Sequence, residues 1–512
     1  MTVSAFRHVG PAKEARPHPK PYRHDKVAQA PTANGMLRVL TCGSVDDGKS
    51  TLIGRLIWEA ADLPDDTRAT IAASAGPDGI PDVSLLLDGL EAERAQGITI
   101  DIAWRYFDLA SRRYVIIDCP GHEQYTRNMA TGASQADMAI LLVDARHGIK
   151  QQTRRHAAIL QLVGARTIVL AVNKMDLVDW SERRFQAIAA EFEEIACKSG
   201  FLKAVAIPVS ARLGDNVTRR SARTSWFSGP TLLSALKASE CEKARDDLPF
   251  RFPVQTIVRD GHDFRGLAGT VVSGKIARGD EVVEMHSGKR ARVARIVTFD
   301  GDRSAAAAGA AVAIELDSDL DISRGGLLAR PASPARLLRE VEARLVWLSD
   351  LPPAGAGLLL RTATDLVPVS SFAVTARLDL ESLIWQQARD CGVNDVVDVR
   401  ISLGRATALD RFEELAATGS FILVDALSGG TVAGGIVKGG EKTSARREGK
   451  VFHLSRALLA ATVCADLSSG EASRQEFRRR AAEVAFLLSA AGVSVDLENF
   501  DDAPMEDGGS GI

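Results

Sequence analysis

Short stretches of this chain combine residue types and spacings suited to phosphate chemistry. Gly43-Ser44-Val45-Asp46-Asp47-Gly48-Lys49-Ser50 fits GxxxxGK[ST], in which glycines let the backbone wrap an anion and a lysine reaches its terminal oxygens. The run lies between an apolar stretch, Leu37 to Cys42, and a helical pattern, Thr51 to Trp58, so a helix N-terminus directs its NH groups at the phosphates. Ser50 supplies a hydroxyl for magnesium. Asp118-Cys119-Pro120-Gly121 follows a second apolar run. It places the Asp118 carboxylate near that ion, through water, and at Gly121 an NH that no side chain keeps from a γ-phosphate.

Base selection is also legible. Asn173-Lys174-Met175-Asp176 closes another apolar run, and Asp176 can accept hydrogen bonds from the N1 and N2 donors of guanine. Adenine lacks those donors and would leave the carboxylate unpaired. Ser210-Ala211-Arg212, after a further run, offers backbone NH groups to the guanine carbonyl. Four motifs in this order point to a site for GTP with Mg2+.

The elements that must position them are short apolar runs at Leu37 to Cys42, Tyr114 to Asp118, Met138 to Asp144, Thr167 to Asn173 and Ala204 to Val209, separated by helical patterns. Such alternation predicts a parallel sheet covered on both faces. After a polar linker at Lys237 to Asp247 the helical period stops. Runs such as Gly269 to Gly274 and Glu281 to Glu284, punctuated by Gly279-Asp280 and Ser287-Gly288, predict small antiparallel barrel strands. A second such stretch, Leu337 to Val437, follows the break at Pro331 to Pro334. Beyond Gly439, Phe477, Ala481, Val484, Ala485, Leu488 and Ala491 recur at helical spacing, and Val493 to Val495 could start a strand. The predicted organisation is a basic tail at 1–36, an α/β phosphate-loop GTPase domain at 37–240, antiparallel β-barrels at 250–332 and 336–438, and an α/β extension at 440–512 with a disordered acidic end.

Composition excludes other classes. At about 150 residues per domain, 512 residues predict three to four domains, and 46% hydrophobic residues can fill their cores. With 63 basic against 66 acidic residues the net charge is -3, so no global field draws the chain onto DNA or an anionic membrane. Six cysteines without CxxC spacing fit reduced thiols in the cytoplasm. No apolar run approaches the roughly 18 residues of a membrane span.

Leu40 to Leu52, Gln96-Gly97-Ile98-Thr99-Ile100-Asp101, Pro120-Gly121-His122-Glu123-Gln124-Tyr125-Thr126-Arg127-Asn128-Met129 and Arg251-Phe252-Pro253-Val254-Gln255 together resemble the GTPase subunit of bacterial heterodimeric sulfate adenylyltransferase, within the translational GTPases. Elongation factors usually carry Val-Asp-His in the first loop and Arg before Gly-Ile-Thr; Asp47 and Gln96 stand there instead. The resemblance covers about Leu37 to Val437. It implies a partner subunit that forms adenylyl sulfate and pyrophosphate from ATP and sulfate, with this chain coupling GTP hydrolysis to that uphill reaction. It further implies that Thr99 joins the magnesium when a γ-phosphate is present, ordering the loop between about Asp62 and Ile100, and that His122 positions the attacking water. For His122 the plain alternative is a polar residue at a helix start. A rival reading of the same three-domain outline is a factor that delivers aminoacyl-tRNA.

Other signals are weaker. Ser428-Gly429-Gly430-Thr431 lacks the Asp of a pyrophosphate-binding SGGxDS loop and reads as a turn. Arg478 to Ala485 with Ala490 to Val493 looks like a fragment of an adenylylsulfate kinase, yet the candidate phosphate loop Gly435 to Thr443 places Glu441 before Lys442. The tail therefore reads as a kinase remnant, as a docking module that could meet such a kinase, or as a plain amphipathic helix; a bifunctional chain is disfavoured. Lys289 to Arg295 reads as a solvated basic strand face without aromatic residues for base stacking. Asp263-Phe264-Arg265-Gly266 could shape a barrel loop or touch the GTPase domain.

Overall fold

Strand β4 (Met138–Asp144) is buried at all seven positions, which requires covering layers on both sides. It lies inside a six-stranded sheet with β1 (Met36–Gly43), β2 (Ala103–Leu109), β3 (Arg112–Asp118), β5 (Thr167–Asn173) and β6 (Lys203–Pro208), in the order β2-β3-β1-β4-β5-β6. Only β2 runs antiparallel. Helices α1 (Lys49–Ala60), α2 (Asp65–Ala73), α3 (Thr126–Ala133), α4 (Gln151–Leu162), α5 (Glu182–Ser199) and α6 (Leu232–Ala238) intervene between or follow these strands. One core gathers Leu52, Leu56 and Leu232 with Val39 and Leu142; the other gathers Met129, Leu160 and Phe192 with Leu40 and Leu141. The computed structural model describes residues 36–87, 99, 101–109, 112–239, 245–260, 264–350, 357–442, 452–454 and 495–497. Gln96, Asp263, the tail at 1–35 and the expected helix around Phe477 to Ala491 lie outside them.

One expectation needs correction. The segment from Asp62 is not a loop throughout, because α2 and a 3-10 turn at Val83–Leu87 occupy part of it. Pro64 precedes α2, and Asp65 and Asp66 complement the helix dipole in its first turn. Ile71 is its one buried residue, so no apolar stripe announces the helix. Gly54 on α1 permits the carbonyl of Val83 to rest against the backbone where a Cβ would collide.

Both following domains are closed barrels. In the first, β7 (Arg251–Asp260), β8 (Phe264–Thr270), β9 (Lys275–Ala277), β10 (Glu281–Glu284), β11 (Arg290–Thr298), β12 (Gly301–Arg303), β13 (Ala305–Ala307), β14 (Ala311–Leu316) and β15 (Leu327–Ala329) follow in sequence. Closure runs β10-β15-β7-β8-β14-β11 and back to β10. The second contains β16 (Arg336–Trp347), β17 (Leu358–Arg361), β18 (Leu366–Leu378), β19 (Trp385–Gln387), β20 (Val396–Leu409), β21 (Ser420–Asp425) and β22 (Thr431–Lys442). It closes as β17-β21-β22-β16-β20-β18 and back to β17. Closure removes the sheet edges that would otherwise invite pairing. Of the extension, β23 (Phe452–Leu454) and β24 (Val495–Leu497) are described, paired in parallel. The fold class of an α/β GTPase-type domain followed by antiparallel barrels is thus as expected.

The basic strand β11 alternates exposed Arg290, Arg292 and Arg295 with buried Ala291 and Val293, and Arg295 pairs with Asp302 and Glu315. Arg265 binds Asp319 and the carbonyls of Leu320 and Ile322, so it shapes a loop of its own barrel.

Charge pins the two barrels together. Arg251 forks onto Asp410 with Nε and Nη2 each 2.9 Å from a carboxylate oxygen, and both residues are buried. His286, after β10, lies 3.1 Å from Glu284 and 3.5 Å from Asp365 of the second barrel, where Arg405 and Thr407 also bind. Asp365 and Glu284 hold the imidazolium up at about 9 against burial. Burial opposes ionisation of Glu284, but His286 and the Ser287 amide draw it to about 2, so it stays charged at neutral pH. Since the imidazole pKa is raised from 6.5, its contribution is complete below 6.5 and lost as pH rises through about 9. The stability difference between the parent and His286→Gln, measured by denaturant unfolding, should therefore shrink as pH rises from 6.5 through about 9. A difference independent of pH would show that the imidazolium is not the pin.

Candidate functional site

All four motifs lie at the carboxyl edge of the parallel sheet, where open α/β sheets bind ligands. Gly43 ends β1, Asp118 ends β3, Asn173 ends β5, and Ser210 follows β6 by two residues. Gly48, with φ 90°, turns the chain into α1, a conformation suited to glycine. Lys49 Nζ donates to the carbonyls of Gly43 (3.1 Å) and Ser44 (2.9 Å). Burial lowers the Lys49 pKa, and the carboxylates of Asp118 and Asp47 oppose the shift. Asp47 is itself buried; its Oδ2 accepts from Ser44 N at 2.7 Å and its Oδ1 lies 3.8 Å from Lys150. Burial pushes its carboxyl up. Within this loop Val45, Ser50 and Thr51 are half-buried and Asp46 is exposed.

Gly121 lies directly against this loop. A Cβ there would stand 2.5 Å from Lys49 Nζ and closer still to the Gly43 carbonyl. Pro120 and Cys119 beside it are buried, and burial raises the Cys119 thiol well above its usual range, as it pushes Cys42 up to about 12. These thiols are unreactive packing groups. Thr41 donates to Asp118 Oδ1 at 3.3 Å, orienting the carboxylate. Ser50 and Asp118 offer hard oxygen donors of the kind magnesium takes. The His122 ring accepts from Gln124 N at 3.3 Å through Nδ1, capping the turn Glu123–Tyr125. The plain helix-start duty is therefore present. Thr99 is half-buried, and among the described residues it makes no hydrogen bond to Ser50 or Asp118.

The base-side loops are knitted by one carboxamide. Asn173 donates to the Asp47 carbonyl at 2.8 Å and accepts from Ala211 N at 2.9 Å. Lys174, in a left-handed conformation, reaches the Asp46 carbonyl and lies 3.0 Å from Asp144. Burial would raise the Asp144 carboxyl, but Arg146 and Lys174 outweigh it and hold it well below its usual range. Met175 is buried, anchoring the turn, while Asp176 is half-buried within electrostatic reach of Arg146. Ser210 is buried, and Arg212 is exposed and paired with Asp78.

Sequence reasoning misses several supporting groups. Lys150 and Asp144 flank the phosphate loop and the Lys174 ammonium; Arg55 and Glu59 of α1 grip the Ser210 loop. His156 on α4 is buried, and burial with the nearby Lys49 lowers it to about 3, so it is neutral. A charged residue on an amphipathic helix reads as solvated, and nothing local names a distant carbonyl as its partner.

Two family models match parts of the chain. The family model for the elongation factor Tu GTP binding domain matches residues 34–248, and that for a GTP-eEF1A C-terminal domain-like unit matches 340–438. Sulfate adenylyltransferase subunit 1 of Shewanella oneidensis is 45% identical over 420 residues, which cover 80% of this chain and 87% of the relative. The chain belongs to the sulfate adenylyltransferase subunit 1 family. The same subunit of Methylorubrum populi is 43% identical, covering 82% of this chain and 90% of its own length. The bifunctional enzyme NodQ of Rhizobium sp. (strain N33) is 46% identical over 78% of this chain, and the chain spans 63% of that longer relative. A domain of the elongation factor Tu type supports GTP binding. Among the described residues no helix is long and apolar enough to cross a membrane.

Since Gly121 leaves no room for a methyl group beside Lys49 and Gly43, Gly121→Ala should weaken GTP affinity by about tenfold. Equilibrium titration with a fluorescent guanine nucleotide checks this; unchanged affinity would show that the two loops separate without cost.

Proposed function

We propose that this chain is the cytoplasmic GTP-hydrolysing subunit of a sulfate adenylyltransferase, coupling GTP hydrolysis to adenylyl sulfate formation in a companion catalytic subunit. The observation that carries this reading is the phosphate loop, Gly43 to Ser50, coupled through Asn173 to a base site with a guanine-type Asp176. The other glycine-rich candidate, Gly435 to Lys442, belongs to strand β22 between β16 and β21, which disfavours a second phosphate site there and with it a kinase activity. Adenylyl transfer then falls to the companion.

In this reading the NH groups at the start of α1, with Gly48 and Lys49, hold the phosphates, and Asp176 takes the guanine N1 and N2 donors. Ser50, Thr99 and Asp118 (the last through water) hold Mg2+, whose charge offsets that of the phosphates. Gly121 meets the γ-phosphate. Because His122 Nδ1 accepts from Gln124 N, Nε2 is left as the donor of the ring and can orient a water oxygen. Hydrogen bonds from the stretch after Gly121 to the second barrel carry the state of the site outward: Arg127 donates to the Thr431 carbonyl at 2.9 Å, and Asn394 donates to the Glu123 carbonyl at 3.2 Å. A companion that binds only one arrangement of these loops can draw on the hydrolysis.

Water positioning acts in the transition state, so His122→Ala should slow GTP turnover by about 100-fold while leaving GTP affinity near that of the parent. An equal loss of affinity would return His122 to capping alone.

The coupling itself is tested by mixing the chain with its adenylylating companion and following pyrophosphate release from ATP and sulfate. Adenylyl sulfate should accumulate further with GTP than with a non-hydrolysable analogue or no guanine nucleotide, and the isolated chain should release no pyrophosphate. Indifference to all three conditions overturns the proposal.

A further inference from the structure

The loop that follows β6 presents its amides unequally. Ala211 N donates to Asn173 Oδ1, Leu213 N to Ser210 Oγ and Gly214 N to the Ser210 carbonyl. Among the described residues the Arg212 NH has no protein acceptor. The carbonyl of Ala211, on the opposite side of the same planar peptide unit, accepts from Arg55 Nε at 3.1 Å, and the Arg212 carbonyl accepts from Arg55 Nη2. A trans peptide points its C=O and NH in opposite directions, so gripping one aims the other.

Arg55 is well suited to this grip. It is buried on α1, six residues after Lys49, and one planar fork takes two successive carbonyls. One helical turn later Glu59 lies 3.7 Å from Arg55 and accepts from Thr218 Oγ1, while Gly214 packs on the Glu59 carboxylate where a side chain would collide. The helix that begins at the phosphate loop thus holds the base loop at two points.

We infer that Arg55 is a positioning residue for base recognition: it fixes the peptide plane between Ala211 and Arg212 so that the Arg212 NH donates to the six-position carbonyl of a guanine base. The inference rests on the guanine-nucleotide reading of the site. It gives the carbonyl contact expected of this loop a support in Arg55, distinct from Asp176, which reads the N1 and N2 donors. An amine or a bare carbon at position six offers the Arg212 NH no acceptor.

The discriminating probes are GDP and the diphosphate of 6-thioguanosine, which keeps the N1 and N2 donors and replaces the carbonyl oxygen by a weakly accepting sulfur, titrated against the full chain. The parent should bind GDP more tightly than the thio analogue. Arg55→Met, which keeps the apolar stem, should lose about tenfold in GDP affinity and much less in analogue affinity, compressing the ratio. Arg55→Lys, which keeps the charge but cannot fork onto two carbonyls, should fall between and supplies the test if the methionine variant does not fold. Asp176→Asn should weaken GDP binding and improve binding of the xanthosine diphosphate. An unchanged GDP-to-analogue ratio in the Arg55 variants, with Asp176→Asn behaving as stated, overturns the role of Arg55 and leaves the guanine site standing. A parent that binds neither nucleotide overturns the guanine reading first.

Discussion

The site depends on the carboxamide of Asn173. Its two ends are chemically different, one donating and one accepting, and the chain uses both: the donor holds the Asp47 carbonyl of the phosphate loop and the acceptor holds Ala211 N of the base loop. No charged or purely apolar side chain could do both, since a carboxylate only accepts and a hydrocarbon does neither. The residue is buried at the end of β5, so loss of either bond leaves a polar group without water. The parallel sheet makes this possible by setting the ends of β1 and β5 on either side of β4, with Gly43 beside Leu142 and Asn173 beside Asp144.

Charge around this link is balanced at short range. Lys49, Asp47, Asp118 and Lys150 alternate about the phosphate loop, and Asp144 collects Lys174 and Arg146 behind the base loop. Asp47, which stands where elongation factors usually have histidine, is more than a family marker: it accepts the Ser44 amide and folds the loop back on itself. A carboxylate in that place requires a compensating cation, and Lys150 is near enough to serve.

Much of the sheet and of the nucleotide site is legible in the amino-acid sequence. Strands buried on both faces write themselves as apolar runs, and phosphate and base motifs need fixed residue types at fixed spacing, so β1, β3 to β6 and the four loops can be placed from sequence. Long-range polar partners cannot. Arg251 stands out only as part of a resemblance, whereas its role is a buried fork onto Asp410, 159 positions later. Arg55 reads as the polar face of a helix, and its carbonyl acceptor at Ala211 lies 156 positions away. The glycine-rich run at Gly435 suggests a damaged phosphate loop because glycine weakens every strand signal; pairing with β16 and β21 makes it a strand nonetheless. Gly435 is needed there because a Cβ would stand 2.8 Å from that of Leu345 and 2.9 Å from the Phe421 ring.

The three domains are therefore joined by seams of different kinds. Between the barrels lie a doubly hydrogen-bonded ion pair, excluded from water, and an apolar seam of Val283, Met285, Leu327, Ala329 and Ala408. Removing one partner of such a buried pair costs about 3–5 kcal/mol. Among the described residues, the polar ties between the GTPase domain and the second barrel are single hydrogen bonds to carbonyls: Arg127 to Thr431, Asn394 to Glu123 and Lys198 to Ser382. Each is exposed and contributes about 0.5–1.5 kcal/mol net. Two of these three involve residues within six positions of Gly121, which puts exposed hydrogen bonds close to the phosphate loop. Apolar contacts add to those exposed bonds, since Leu383 packs on the GTPase core and the Phe412 ring lies against Gly164, whereas the ion pair that joins the barrels to each other is buried.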